Sequence, residues 1–305
     1  FVKLINNNIN KGVGTCRNLA INKSEGKFLI FLDSDDQLQK TSLKNLEFLL
    51  KKDNVSDFVI VRNKKSTFPT SNLSLINHSY NYNKNSSNLI EHLHKTNFSF
   101  SDCWLVVVRA SFIKKNNILF SESRFGESEF FMLKLVLLMK KFKTLNKVFY
   151  IKNDRPNSLN QSQDIKTLES VLKNLIDLTT YVNRKQFDKN KKKFAIKYIQ
   201  NIFGTLTTLL ILKNNKEIKK MNLSRINLKS IKKWPENISL NVNLPNSKIY
   251  KELIKFKNKI IQKRFFSFKN KLKNKDIFLY CRSKYALATL KILRLNNFKV
   301  KNIID

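Results

Sequence analysis

Phe28-Leu29-Ile30-Phe31-Leu32-Asp33-Ser34-Asp35-Asp36 decides how the rest of this chain is read. The apolar run follows Gly26 and ends in acids, the pattern of a short strand buried on both faces in a parallel sheet covered by helices. In an extended chain alternate side chains share a face, so Asp33 and Asp35 are expected to project together where the apolar run stops. Ligands of open α/β sheets collect at that carboxyl edge. Two carboxylates there suit a hard divalent cation, Mn2+ or Mg2+, which prefers oxygen ligands and leaves room for phosphates. The same residues also fit a strand running into an acidic turn, where Asp is common for its own hydrogen bonding. The segment by itself does not choose between these readings.

Its flanks supply the architecture. Upstream, residues 1–5 read as a strand ended by Asn6-Asn7-Asn8. Asn10-Lys11-Gly12-Val13-Gly14 reads as a loop whose glycines permit backbone conformations closed to other residues. Thr15 is expected to cap a helix with Leu19 and Ala20 inward. Downstream, residues 40–52 present Leu43, Leu46, Leu49 and Leu50 on one helical face, and Asp57-Phe58-Val59-Ile60-Val61 is the next strand. This alternation argues for an α/β sheet. Residues 66–87, rich in Asn and Ser, read as a long loop, and 89–94 as a short helix. Further strands are expected over 103–109 and 148–151, with an apolar helix over 130–139. Beyond about residue 163 the texture changes to basic helices, roughly 165–184, 190–213 and 246–274. A small β-α-β unit follows: a strand over 276–280, a helix over 285–295 and a strand over 299–304. The expected domains are therefore 1–162, 163–274 and 275–305. Both chain ends fall against strand-like segments, which predicts a fragment of a longer protein.

Composition bounds the partners. Lys and Arg number 59 against 22 Asp and Glu, a net charge of +37 over 305 residues. Such a balance attracts membrane headgroups, nucleic acid and phosphorylated substrates, and says nothing about fold. Cys16, Cys103 and Cys281 lack metal or redox spacing, so free thiols in a reducing compartment are expected. The longest apolar stretch, 202–212, is broken by Gly204 and threonines and is too short to span a bilayer. His92 and His94 have no further ligands nearby and read as solvated or satisfied histidines.

Two blocks together resemble a family 2 glycosyltransferase of the GT-A fold. The first is Asn10-Lys11-Gly12-Val13-Gly14-Thr15-Cys16-Arg17-Asn18 followed by Gly26 to the acidic triplet. The second holds Trp104 before Arg109, Asn116-Asn117-Ile118-Leu119-Phe120, Gly126-Glu127-Ser128-Glu129-Phe130-Phe131, Tyr150 and Arg155-Pro156-Asn157-Ser158. The resemblance covers residues 1 to about 160. It implies an α/β GT-A sheet flanked by helices, and inverting transfer of a sugar from a nucleotide-sugar donor to a glycan or lipid-linked acceptor, as in capsule or lipopolysaccharide synthesis. It implies Asp33 and Asp35 as metal ligands, with Asp36 a third acid near the donor. Arg17 and Asn18 lie on the donor side, where Arg17 either meets the phosphates or braces the loop. Arg155 and Ser158 match a loop that closes over the diphosphate, or form a plain turn. Inversion needs a general base opposite the leaving group. The family places an acidic pair before an apolar helix. Here Glu127 fits the first acid and Ser128 stands where the second belongs, so Glu127 and Glu129 are the candidate bases and an inactive relative stays open. The family's nucleotide-recognising first strand is expected to lie before Phe1.

The closing β-α-β unit resembles the start of a Rossmann-like module, but its first turn, Cys281-Arg282-Ser283-Lys284, has no glycine, and a scaffolding role is expected. A phosphatase of the haloacid dehalogenase type also places Asp-x-Asp after an apolar strand. It needs Thr or Val where Gln37 stands. A basic nucleic-acid-binding protein is the nonenzymatic alternative, and no RNA- or DNA-binding motif accompanies the charge. The charge also suits peripheral docking on the anionic inner face of a plasma membrane from the cytoplasm.

Overall fold

Phe58-Val59-Ile60-Val61 and Val106-Val107-Val108 are almost wholly buried, and they form the centre of the sheet in the computed structural model. The structure describes residues 2–51, 56–63, 89–91, 93, 101–153, 164–221, 246–272, 277–280, 284–296, 298 and 300–304. The reading of 66–87 as a loop, the reading of His92 and His94 as solvated or satisfied, and the donor-side residues expected at Arg155 and Ser158 lie outside these residues. The described chain divides into two compact units, one of Phe1–Ser158 with Gln186–Tyr198, the other of Leu159–Lys185 with Ile199–Asp305.

The first unit is α/β. Helix α1 (Val13–Lys23) leads to β1 (Phe28–Ile30), β2 (Gln37–Leu38), α2 (Ser42–Lys51) and β3 (Phe58–Asn63). A 3-10 turn (Cys103–Leu105) enters β4 (Val106–Arg109), followed by α3 (Ala110–Asn116), α4 (Glu127–Leu138) and β5 (Phe142–Ile151). The strands order as β1-β4-β3-β5-β2. Only β3 and β5 run parallel; β1 with β4, β4 with β3 and β2 with β5 are antiparallel. Val59, Val61, Val107, Leu145, Phe149 and Tyr150 of the sheet and Leu46 of α2 form one buried core cluster.

Several expectations need correction. The run 28–32 is not a strand buried on both faces in a parallel sheet. Only Phe28–Ile30 is extended, half-buried, and its partner β4 is antiparallel. Among the described residues β1 lies at a sheet edge, where one side of a strand lacks a neighbour to cover it. Residues 2–5 form no strand. β5 is longer than the expected 148–151, because pairing with β3 overrides its Lys and Asn residues. Glu127 to Glu129 open α4 rather than precede it. Thr15 is not the cap of α1. Gly12 is, at φ 80 and ψ 158, a conformation open to glycine alone, with its N–H donated to Asn10 Oδ1 at 2.9 Å.

The second unit holds α5 (Ile165–Arg184), α7 (Asn215–Lys219), α8 (Asn246–Leu272) and a parallel pair, β6 (Ile277–Tyr280) and β7 (Val300–Ile304), joined through α9 (Lys284–Leu295). Asp164 caps α5 by accepting from Thr167 N–H at 2.7 Å. Asn214 and Glu217 form a reciprocal capping box on α7. Helix α6 (Lys189–Leu212) begins in the first unit and ends in the second. It is the one helix among the described residues long and apolar enough to cross a membrane, because its apolar positions begin upstream of 202. Since 61% of that window is buried, it also fits a core helix.

What positions the candidate site residues is the seat of α1 on the segment before α4. A Cβ on Gly14 would lie 2.1 Å from the Ser121 carbonyl oxygen and 3.1 Å from Glu127 Cβ, so only glycine lets the backbones approach this closely. Gly204 of α6, by contrast, has nothing within 4 Å. Gly14→Ala is expected to lower stability by about 3 kcal/mol through overpacking against backbone. Gly204→Ala is expected to raise it by about 0.5–1 kcal/mol through a less flexible unfolded chain. Thermal melts of the two variants, moving in opposite directions from the parent, check both.

Candidate active site

The acidic triplet occupies a turn, not a strand end. Asp36 N–H donates to the Asp33 carbonyl at 3.1 Å, closing the turn. Alternation along a strand therefore does not set the directions of Asp33 and Asp35, as the sequence argument assumed. The turn is fixed from β5. Tyr150 Oη donates to Asp36 Oδ2 at 2.6 Å and accepts from Asp33 N–H at 3.2 Å. Asn153 N–H donates to Asp36 Oδ1 at 2.8 Å, and its side-chain amide donates to the Asp35 carbonyl at 2.7 Å. Both Asp36 oxygens are thus engaged in holding the turn. Trp104 stacks on Tyr150 with ring centroids 4.9 Å apart and belongs to the packed sheet face.

Arg17 joins this turn to the head of α4. One guanidinium nitrogen meets Asp33 Oδ1 at 2.5 Å and the other meets Glu127 Oε1 at 2.6 Å. The Arg17 and Glu127 side chains are each 14% exposed, and Asp33 is 37% exposed, so the bridge runs from interior to surface. The guanidinium also lies over the Phe120 ring, 5.2 Å from its centroid. Burial opposes the charge on Arg17, but the Asp33 and Glu127 carboxylates outweigh it and raise its pKa, keeping it a cation. Beside it Asn18 pairs with backbone at both ends of its amide. It donates to the Phe120 carbonyl at 3.0 Å and accepts from Phe120 N–H at 2.8 Å. Phe120 in turn stacks on Phe131 of α4, with Phe31 edge-on to both. Asn18 therefore docks α1 to the Phe120 segment, and Arg17 braces two acidic segments together.

Glu129 lies in the first turn of the same helix, where its carbonyl accepts from Tyr198 Oη at 3.2 Å. Burial, then Glu129 and Asp102, raise the Tyr198 phenol well above its usual range. Tyr150 is pushed up too, first by burial and then by its bond to Asp36, so it stays a donor. Burial pushes the Cys103 thiol up to about 12, which leaves it an unreactive thiol.

Sequence reasoning missed two participants. Tyr150 entered only as part of a motif, though an aromatic hydroxyl ending a strand beside an acidic turn was a usable signal. Asp102 gave no signal, being an acid at the start of an apolar run. Desolvation raises its carboxyl pKa, opposed by Lys152, with Asp33 and Glu127 adding to the rise and Arg17 against it. A carboxyl whose folded pKa is raised destabilises the fold where it is ionised, above its folded pKa, and not below its unfolded one. Asp102→Asn is therefore expected to melt higher than the parent at neutral pH. The gap should close as pH falls through the ordinary carboxylate range, read by paired melts across that range.

The family model for glycosyl transferase family 2 matches residues 1–114. A cholesterol galactosyltransferase of Borreliella burgdorferi is 26% identical over 195 residues, which are 57% of this chain and 52% of that protein. The chain thus spans about half the length of this curated relative. Among solved structures, TarS of S. aureus, residues 1–349 in complex with UDP-GlcNAc, superposes with a TM-score of 0.46 at 17% identity. The match covers 72% of this chain and 65% of that one. A second TarS structure gives a TM-score of 0.42 at 17% identity, over 70% of this chain and 34% of the other. The span that matches the glycosyl transferase family 2 model contains Gly14, Arg17, Asn18 and the Asp33–Asp36 turn, and it is over these residues, 1–114, that the chain is similar to that family.

Proposed function

We propose that this chain moves a glycosyl group from a nucleotide-activated sugar to a hydroxyl acceptor, inverting the anomeric carbon with the aid of a divalent cation. One observation carries the reading: a single guanidinium ties an acid of the Asp33–Asp36 turn to an acid at the head of α4. Inverting transfer needs negative charge offset on the departing diphosphate and a proton acceptor beside the attacking hydroxyl. The two acidic segments supply carboxylates for both tasks.

The donor set fits a hard cation. Asp33 and Asp35 are half-buried carboxylates two apart in one turn. Among the described residues no three His, Cys, Asp or Glu side chains form a metal cage. Mg2+ or Mn2+ needs none, since one or two carboxylates suffice when phosphates and water complete its shell. Bound there, such a cation would stabilise charge on the leaving diphosphate. Tyr150 and Asp36 hold the turn in place, and Arg17 aims Glu127 by gripping one of its oxygens. Glu127 is the proposed base that takes the acceptor proton as the hydroxyl oxygen attacks, with Glu129 the alternative. A glycan or lipid-linked hydroxyl, as in bacterial surface-polysaccharide synthesis, is the proposed acceptor class. A lipid hydroxyl gains support from the cholesterol galactosyltransferase relative.

One observation favours a second reading. Glu127 is already ion-paired, and Ser128 stands where the family's second acid belongs. A protein that binds nucleotide sugar without transferring it would have this arrangement. The assay separates the two. The chain is incubated with Mn2+, a nucleotide-sugar panel that includes UDP-galactose, and acceptors that include cholesterol. Acceptor-dependent nucleotide release is followed beside donor binding by calorimetry. Asp33→Asn and Asp35→Asn are expected to cut release by about 100-fold or more, as is chelation of the metal, with Mn2+ restoring it in the parent alone. Glu127→Gln should cut release by about 10²–10⁴-fold while donor binding stays. Donor binding without any release selects the second reading, and neither binding nor release sinks both.

A further inference from the structure

Lys251, Lys255, Lys259 and Lys263 recur at every fourth position of α8, and all four are exposed. At about 100° per residue they spread over an arc of about 120°, with Asn258 and Gln262 along its near side. Phe266 is 68% exposed. By the same geometry it lies at about 60°, in the middle of the lysine arc. The stripe from Lys251 to Phe266 is about 22 Å long. The opposite side of the helix is fixed within the second unit. Leu253, Phe256 and Ile260 are buried there. Lys257, also buried, donates to the Lys213 carbonyl at 2.6 Å and to Asn215 Oδ1 at 3.1 Å. Phe265 meets Phe298 edge-on, 5.6 Å between centroids, which seats the end of the stripe. Packing therefore accounts for the inner face and leaves the lysine face outward. Glu252 is the lone acid in the sequence of this helix.

We propose that this face of α8 docks the chain on an anionic lipid surface, its lysines meeting headgroup phosphates and Phe266 entering the boundary with the acyl chains. The complementarity is of charge and of shape. A row of exposed lysines along one side of a helix matches a negative layer, and one apolar ring amid lysines matches a surface whose apolar part lies just beneath its charge. Single-stranded nucleic acid is instead held in a groove lined with stacking aromatics. The inference stands apart from the transferase reading, and it gives the expected peripheral location on the inner face of a plasma membrane a physical seat.

The test is co-sedimentation of the full chain with vesicles of phosphatidylcholine alone, or with about a third of the lipid as phosphatidylglycerol. Binding is expected only to the anionic vesicles and falls steeply as salt rises. Each lysine at such a surface multiplies the partition about fivefold, so Lys255→Gln with Lys259→Gln should lower it about 25-fold. Lys40→Gln with Lys44→Gln removes the same charge from exposed positions of the first unit and should change it less than about twofold. Phe266→Ser should weaken binding and leave its salt dependence unchanged, and melts matching the parent establish that each variant folds. Equal losses in the two double variants, an unchanged partition in Phe266→Ser, or binding to phosphatidylcholine alone would overturn the proposal. So would tighter binding to an RNA homopolymer that the α8 variants abolish, which would assign the face to nucleic acid.

Discussion

Arg17 places one positive charge between two carboxylates drawn from segments 16 and 110 residues away in sequence. Without it, Asp33 and Glu127 would face each other across a partly buried space with nothing to offset their repulsion. Removing one partner of a buried ion pair costs about 3–5 kcal/mol, chiefly because the remaining charge is stranded. That figure shrinks on the Asp33 side, where solvent reaches the carboxylate and screens it. The bridge is thus firm toward Glu127 and softer toward the turn.

The bridge is possible only because α1 sits unusually close to the chain before α4. Gly14 removes the side chain that would collide with the Ser121 carbonyl, and the Asn18 amide then replaces a backbone partner for Phe120 on both its polar groups. Arg17 lies between them and inherits their precision. Three residues of one helix thus share one task, bringing the acid-bearing end of α4 to the turn. Phe31, Phe120 and Phe131 fill the apolar space behind, so the polar bridge rests on a packed aromatic floor.

How much of this was legible depended on whether the information was local. The long helices of the second unit were readable because their apolar spacing is written within each segment, whereas the short α7, its Asn214–Glu217 capping box and the Asp164 cap of α5 went unread. The central strands were readable for the same reason, as unbroken runs of Val, Ile and Phe. The turn at Asp33 was not. An apolar run followed by acids reads equally as a strand end or a turn, and what selects the turn is Tyr150, more than a hundred residues downstream. Arg17, Asn18 and Gly14 stood out as a motif, but their joint action on Phe120, Ser121 and Glu127 is a tertiary fact with no local signature. Asp102 carried no pattern at all. Its character comes from desolvation and from neighbours contributed by other elements.

The geometry of the acidic turn is in the end a consequence of sheet register. β2 follows the turn directly and pairs Gln37 with Ile151 and Leu38 with Tyr150. That pairing goes with a Tyr150 ring in the core cluster and a hydroxyl against Asp33 and Asp36 at once. A slip of one residue in β5 would turn Tyr150 to the other face, because side chains alternate along a strand. The buried ring would leave the core, and Asp36 would lose the donor that fixes it. β5 in turn takes its register from β3, through the parallel pairs from Phe58 with Phe142 to Asn63 with Tyr150 and the irregularity after Val61. The placement of the acids is therefore tied to the most buried strands in the unit. A surface turn thereby gains rigidity it could not supply from its own hydrogen bonds.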